Sequence, residues 1–256
     1  MLPHCIADHA PNVQYRHEEQ GFFYAGSSMP LAQLLYAVNG ELRCVCDGRE
    51  YHLPTGTFLL LPQNQWHMCY AEPKSAPVLL HLTFSATWDS FVPIIETAPS
   101  PTVSAFLQQI MQEYHCADDV SREMIHLLLN QLLLTLYREG RFTEASPLKG
   151  EEAIISRTLQ LICSHARQRI NVPMVAKKAQ ISPSYLTALF QKHLSVSPGE
   201  CIRRVKLQES KEMIRSSNMN FTEIAAALQY STVHQFSRQF KEKFGITPTE
   251  YAKTVR

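Results

Sequence analysis

The sequence predicts an α+β chain of two domains, a small β-barrel or sandwich with two helices followed by an all-α domain carrying a tandem helix-turn-helix. Three observations predict it. Between Phe22 and Phe84 short β-rich runs alternate with Gly, Pro and Asn. Further on, Ile181 to Lys192 (Ile-Ser-Pro-Ser-Tyr-Leu-Thr-Ala-Leu-Phe-Gln-Lys) is echoed by Tyr230 to Lys241 (Tyr-Ser-Thr-Val-His-Gln-Phe-Ser-Arg-Gln-Phe-Lys). Each stretch follows a short Ala-bearing helical segment and precedes a Ser/Thr-Pro pair, Ser197-Pro198 and Thr247-Pro248. Charge also divides the chain. Residues 1–150 hold 8 Lys and Arg against 15 Asp and Glu, whereas residues 151–256 hold 16 against 8. A basic half beside a repeated helix-turn-helix points to double-stranded DNA, whose phosphates release counterions to Lys and Arg.

These features divide the 256 residues into a barrel (1–98), a helical segment (99–141), a linker (142–151) and the reader (152–256). The seven cysteines are odd in number and lack a CxxC pair, so they read as thiols of a reducing compartment rather than a disulfide frame. Met1 to His9 show no signal-peptide pattern, and the most apolar run, Ile125 to Leu136, is too short to span a bilayer. A cytoplasmic protein without membrane association is expected.

Within the barrel, Leu34 to Val38 ends at Asn39-Gly40, and Leu42 to Cys46 turns through Asp47-Gly48 into Glu50 to Leu53. Asp-Gly supplies the positive backbone angles of a hairpin turn. Thr57 to Leu61 and Val78 to Phe84 follow as apolar strands, while Cys5 to Gln20 is polar and reads as an arm or a frayed terminus. An interior able to hold a small molecule should be apolar with a few polar groups, and Tyr36, Trp66, His67, Tyr70, His81 and Phe84 are the candidates to line it. Trp66 and His67 are adjacent on a strand, so at most one of them points inward. No His lies between Glu41 and Cys46, so three converging metal ligands are not expected, and neither metal nor other cofactor is called for.

From Pro101, apolar residues recur at three and four positions through Val103, Phe106, Leu107, Ile110, Met111 and Tyr114. A second, Leu-rich helix follows Asp118-Asp119. Its apolar residues cover more than one face, so a second subunit is expected against Ile125, Leu128, Leu129, Leu132 and Leu136, giving a homodimer.

In the reader, Glu151 to about Arg169 is amphipathic, Asn171 and Ser182 stand as helix caps, and Pro173 and Pro183 occupy early helical positions. The two helix-turn-helix units span about residues 171–194 and 220–245. Leu186, Leu189 and Phe190 in the first recognition helix, and Phe236 and Phe240 in the second, have core spacing. This leaves Ser184, Tyr185, Thr187, Ala188, Gln191 and Lys192, then Val233, His234, Ser237, Arg238 and Lys241, to project.

Two resemblances follow. Pro54-x-Gly56, the bulky run after it, Pro62 and His67 resemble the cupin-type sensor domains of bacterial regulators. Phe236-Ser237-Arg238, Phe240-Lys241, Gly245 and Thr247-Pro248-x-x-Tyr251 resemble the DNA-binding domain of the AraC/XylS transcription regulators. The resemblance implies a cupin-like barrel and two recognition helices in successive major-groove segments. Ser184, Thr187 and Ala188, with Val233, His234 and Arg238, would face bases, and Gln191, Lys192, Ser237 and Lys241 would lie beside them. It further implies a small-molecule effector such as a carbohydrate or other catabolite, and activation through RNA polymerase. Gln180, Ser195 and Gln229 stand where that family usually has Gly, and slightly distorted turns are expected there. The rival readings are a cupin-type metal-dependent enzyme with an appended helical domain, and a regulator that binds no ligand.

Overall fold

The computed structural model describes residues 6–27, 29–46, 48–72, 74–86, 94–96, 99–142 and 148–255. Among the described residues nine strands form two antiparallel sheets. The five-stranded sheet has the order β1 (Asn12–His17), β8 (Val78–Phe84), β3 (Ala32–Asn39), β6 (Phe58–Leu61) and β9 (Ile94–Glu96). The four-stranded sheet runs β2 (Phe23–Ser27), β7 (His67–Tyr70), β4 (Leu42–Cys46) and β5 (Arg49–Leu53). Among the described residues no strand pairing joins the two, so the expected barrel or sandwich takes the form of two facing sheets. Leu35, Ala37, Leu59 and Leu79 of one sheet meet Leu42, Cys44, Leu53 and Cys69 of the other.

The polar stretch before the first predicted strand is not a loose arm. Asn12, Gln14 and Arg16 alternate with Val13 and Tyr15 in β1, which pairs along its length with β8. Val13 and Tyr15 join the core under the helices, while the three polar residues line the space between the sheets. Upstream, the Ala7 amide donates to Asn130 Oδ1 at 2.7 Å, and its carbonyl lies 2.9 Å from His126 Nε2. Cys5 of the expected arm, and Asp47 of the Asp47-Gly48 turn, lie outside the described residues.

Helices α1 (Pro101–Cys116) and α2 (Asp119–Arg138) cover the outer face of the five-stranded sheet. Ser100 and Asp118 cap them by accepting from the Val103 and Ser121 amides. Ile125, Leu128, Leu129, Leu132 and Leu136 are buried here against Leu34, Leu60, Leu80 and Leu82 of their own sheet. That placement corrects the expected dimer face: the outward stripe of α2 is instead Val120, Met124 and Leu127, all exposed. Residues 143–147, the middle of the expected linker, lie outside the described residues.

The rest is helical: α3 (Gly150–Ser164), α4 (Val172–Ala179), α5 (Pro183–Leu194), α6 (Pro198–Ser216), α7 (Phe221–Ala227), α8 (Val233–Phe244) and α9 (Pro248–Val255). The first of these ends at Ser164, short of the expected Arg169. There Ser164 Oγ donates to the Leu161 carbonyl at 3.2 Å, and His165 Nδ1 lies 2.9 Å from the same oxygen, a local alternative to the helical ladder. The reader does not stand apart from the sheets. Ile155, Leu159, Ile202 and Val205 pack into one core with Phe23, Val45, Met68 and Tyr70 on the outer face of the four-stranded sheet. Among the described residues no helix is long and apolar enough to cross a membrane.

Candidate nucleic-acid interface and sensor cavity

Each helix-turn-helix is built from caps and a left-handed turn. Asn171 caps α4 and Ser182 caps α5. In the second unit a reciprocal capping box joins Asn220 and Glu223, and Thr232 caps α8. The turns between helices rest on Gln180 and Gln229, each at φ 59°, and Ser195 closes α5 at φ 54°. These residues adopt the conformation glycine would supply, and the amides of Gln180 and Gln229 still bond the preceding helix, at 3.1 Å to the Lys177 carbonyl and 2.9 Å to the Ala226 carbonyl. The turns are therefore regular rather than distorted, and the side chains carry the cost, of order 1 kcal/mol each.

Leu186, Leu189 and Phe190 anchor α5, and Phe236 and Phe240 anchor α8, all buried. Ser184, Thr187, Ala188, Gln191 and Lys192 are exposed on α5, and His234, Arg238 and Lys241 are exposed on α8, with Val233 and Ser237 half-buried. The two exposed faces differ in chemistry. Thr187 donates its hydroxyl to the Pro183 carbonyl at 2.9 Å, so its methyl and lone pairs are what it can offer. Lys192 is held 2.6 Å from Glu151, which also accepts from His193 at 2.8 Å; these two hydrogen bonds hold the Glu151 carboxyl below its ordinary range. On α8, His234, Arg238 and Lys241 follow one another at four and three residues along one stripe. Tyr251 of the terminal helix buttresses this unit, its ring 5.7 Å from that of Phe240.

Between the sheets lies a cavity of about 250 Å³. His67 and His81 line it with Gln14, Arg16, Gln33 and Thr83, against an apolar wall that includes Phe22 and Leu35. His81 Nε2 lies 3.1 Å from Gln33 Oε1, and His67 Nδ1 lies 3.1 Å from the Gln65 carbonyl. Burial pushes both histidines down, His81 to about 4 with Arg16 and His67 adding to the effect, so both are neutral at neutral pH. The other four expected lining residues lie elsewhere. Tyr36 and Phe84 turn from β3 and β8 toward the helices, and Trp66 and Tyr70 turn toward the reader. Alternation is the reason: each sits an odd number of residues from an inward-facing neighbour such as Leu35, Thr83, His67 or Cys69. Gln14, Arg16 and Gln33 escaped the sequence reading, although the alternation of β1 signalled the first two. Among the described residues no three His, Cys, Asp or Glu side chains converge as metal ligands.

Sensor and reader meet in polar contacts around their shared core. Arg49 Nε reaches Glu152 at 2.7 Å, Lys211 pairs with Glu19, and the Arg204 guanidinium lies 5.8 Å from the centre of the Tyr70 ring. Gly48 lies so close to the Glu152 backbone that a Cβ would stand 2.3 Å from its carbonyl oxygen, leaving no room for a side chain at that crossing.

Comparison with known proteins agrees with this division. Residues 13–144 match the AraC-like ligand binding domain, and residues 175–254 match a helix-turn-helix domain. The chain is 22% identical over 250 residues to an uncharacterized HTH-type transcriptional regulator of Haemophilus influenzae, covering 84% of each. It is 24% identical to the lactose operon transcription activator of Staphylococcus xylosus, over 80% of this chain and 77% of the relative. Among solved structures, ToxT from Vibrio cholerae O395 aligns at a TM-score of 0.44 and 12% identity, covering 96% of this chain and 98% of ToxT. A DNA reader joined to a ligand-binding domain defines a one-component regulator of transcription. The chain belongs to the AraC/XylS family of such regulators.

Proposed function

We propose that the inter-sheet cavity takes a small, uncharged, hydroxyl-rich molecule, of the class of monosaccharides and polyols. The observation that carries this is the pair of cavity-lining histidines, His67 and His81, each with a ring nitrogen held against a carbonyl oxygen. Gln33 Oε1 and the Gln65 carbonyl are both acceptors, so the ring nitrogen facing each carries the hydrogen. His81 Nδ1 and His67 Nε2 are left as acceptors, and the former is buried without a partner. Two acceptors at a cavity wall favour a ligand that donates O–H groups. A carboxylate would set acceptor against acceptor, since Arg16 already pairs with Glu18 at 2.8 Å. The volume suits a single small ring.

Ser184, Thr187, Ala188 and Gln191 on α5, and Val233, His234, Ser237, Arg238 and Lys241 on α8, form the DNA-contacting set, with Lys192 available once Glu151 releases it. The second recognition helix carries more sequence information, because Arg238 is exposed and has no ion-pair partner among the described residues, whereas Ala188 offers only a thymine methyl contact. A homodimer forms through the outward stripe of α2, and DNA-bound dimers act with RNA polymerase, as activators of the family do. The boundaries 1–98, 99–141, 142–151 and 152–256 describe the working parts.

The test is a thermal-shift screen of the full chain against pentoses, hexoses and polyols, with short carboxylic acids as the contrast. A ligand at about 100 times its Kd adds roughly 2.7 kcal/mol to folding stability. Stabilisation by hydroxyl-rich compounds that His81→Leu abolishes is the expected result, and stabilisation by carboxylates alone would overturn it. Footprinting must show two protected major-groove segments per subunit about one helical turn apart.

A further inference from the structure

Cys44 of β4 lies directly opposite Cys69 of β7 in the antiparallel four-stranded sheet, and the next pair on the same face is Cys46 opposite His67. The Sγ atoms of Cys44 and Cys69 are 2.6 Å apart, inside the separation of two sulfurs in mere contact. Opposed residues of an antiparallel pair have Cα atoms about 4.5–5.5 Å apart, within the roughly 4.4–6.8 Å that a disulfide spans. Both residues are buried, at 0% and 3% exposure. They are not sealed from small molecules, because Cys69 forms part of the cavity wall.

We propose that Cys44 and Cys69 are a redox-modification site that closes into a reversible cross-strand disulfide when a small peroxide enters the inter-sheet cavity. The two cysteines are 25 positions apart, and only the register of β4 on β7 brings them together.

The chemistry balances with hydrogen peroxide as the two-electron oxidant. The sulfur of Cys69, at the cavity wall, attacks one peroxide oxygen; the O–O bond breaks, and a sulfenic acid and a water result. The Cys44 sulfur then attacks the Cys69 sulfur, the S–O bond breaks, and the hydroxyl leaves with the Cys44 proton as a second water. Two thiols and one hydrogen peroxide give one disulfide and two waters. Burial pushes the Cys44 thiol well up, so the resolving step is slow and its selectivity comes from position, the two sulfurs having only to close from 2.6 Å to the roughly 2.05 Å of a disulfide. A strand-to-strand bond of this kind is readily reduced by a dithiol.

The experiment uses the full reduced chain treated natively with increasing hydrogen peroxide, acid-quenched, alkylated in denaturant and mapped by mass spectrometry. The expected result is loss of two hydrogens per chain, confined to a peptide pair joining Cys44 to Cys69 and reversed by dithiothreitol. Cys44→Ser should leave Cys69 as a sulfenic acid trappable by dimedone, and Cys69→Ser should leave Cys44 alkylated. Should either variant fail to fold, the wild-type map decides alone. Recovery of both cysteines fully alkylated at a peroxide dose that oxidises the exposed Cys116, or a cross-link to any other cysteine, would overturn the proposal.

Discussion

Lys211, in the C-terminal half of α6, pairs its ammonium with the Glu19 carboxylate of the sensor domain while standing 4.8 Å and 5.1 Å from the ring centres of Phe244 and Tyr251. One side chain thus touches the turn after β1, the end of the second recognition helix and its buttress. With 12% of the side chain exposed, its charge is largely withdrawn from water, and removing the carboxylate leaves it poorly compensated. Glu19→Gln and Lys211→Met should each weaken sensor–reader docking by roughly 1–3 kcal/mol. The check is limited proteolysis of the segment joining α2 to α3. Cleavage should quicken in both single variants, and the exchanged pair Glu19→Lys with Lys211→Glu should recover part of the protection. Unchanged cleavage in both singles would show that the apolar core alone holds the domains.

Arg238→Ala should lower affinity for the cognate site by roughly 1–3 kcal/mol and relax the preference at one base pair. A selection of bound sequences by wild type and variant measures it. A loss that is uniform across sequences, with a shallower salt dependence, would make Arg238 a phosphate clamp instead.

The buried histidines set an acid limit. In the unfolded chain a histidine takes its proton near pH 6.5, whereas folded His81 waits until about 4. Between those values the unfolded state binds more protons, so stability falls as pH falls, by up to about 1.4 kcal/mol per pH unit for this group. Urea unfolding of the wild type and His81→Gln from pH 7 to 4 should show the smaller acid loss in the variant. Parallel curves for the two proteins would remove His81 from the account.

Ser195→Gly should raise stability by about 0.5–1 kcal/mol, because φ 54° strains a residue bearing a Cβ. Glycine's greater freedom in the unfolded chain takes back part of the gain. Denaturant midpoints read this directly, and a lower midpoint for the variant would show that Ser195 is not strained.

Neighbouring leucines on α2 should behave oppositely. Leu127, 58% exposed, tolerates Glu within the fold, so Leu127→Glu should shift a dimer to monomer in sedimentation while leaving the thermal transition of the monomer nearly unchanged. Leu128, buried against the five-stranded sheet, does not, and Leu128→Glu should unfold the chain, an unpaired carboxylate in that core costing several kcal/mol. A dimer that survives Leu127→Glu would place the subunit contact elsewhere.

Local signals made the reader legible. Caps at Asn171 and Ser182, prolines at the helix starts and core spacing at Phe236 and Phe240 act within a turn or two of sequence, and the structure reproduces them. The sensor was less legible because its decisive facts are pairings across distance. β1 was missed since Asn12, Gln14 and Arg16 face the cavity, which makes a strand look like a polar tail. The α2 leucines were assigned to a second subunit because sequence counts apolar faces without saying which one the sheet covers. Of the six cavity candidates, only His67 and His81 reach the space between the sheets, since register decides which side of a strand each residue serves. Docking of the reader on Val45, Met68 and Tyr70 has no local signature at all.

β7 is four residues long, and its alternation divides them between two tasks. His67 and Cys69 border the cavity, while Met68 and Tyr70 are built into the reader's core. With the effector in that cavity, as proposed, stimulus and response are separated by the thickness of one backbone. A substitution that reshapes the cavity through β7 must also move the floor on which the reader rests. On that proposal effector preference and resting DNA affinity are coupled, and variants selected for a new ligand should carry an altered uninduced level with them.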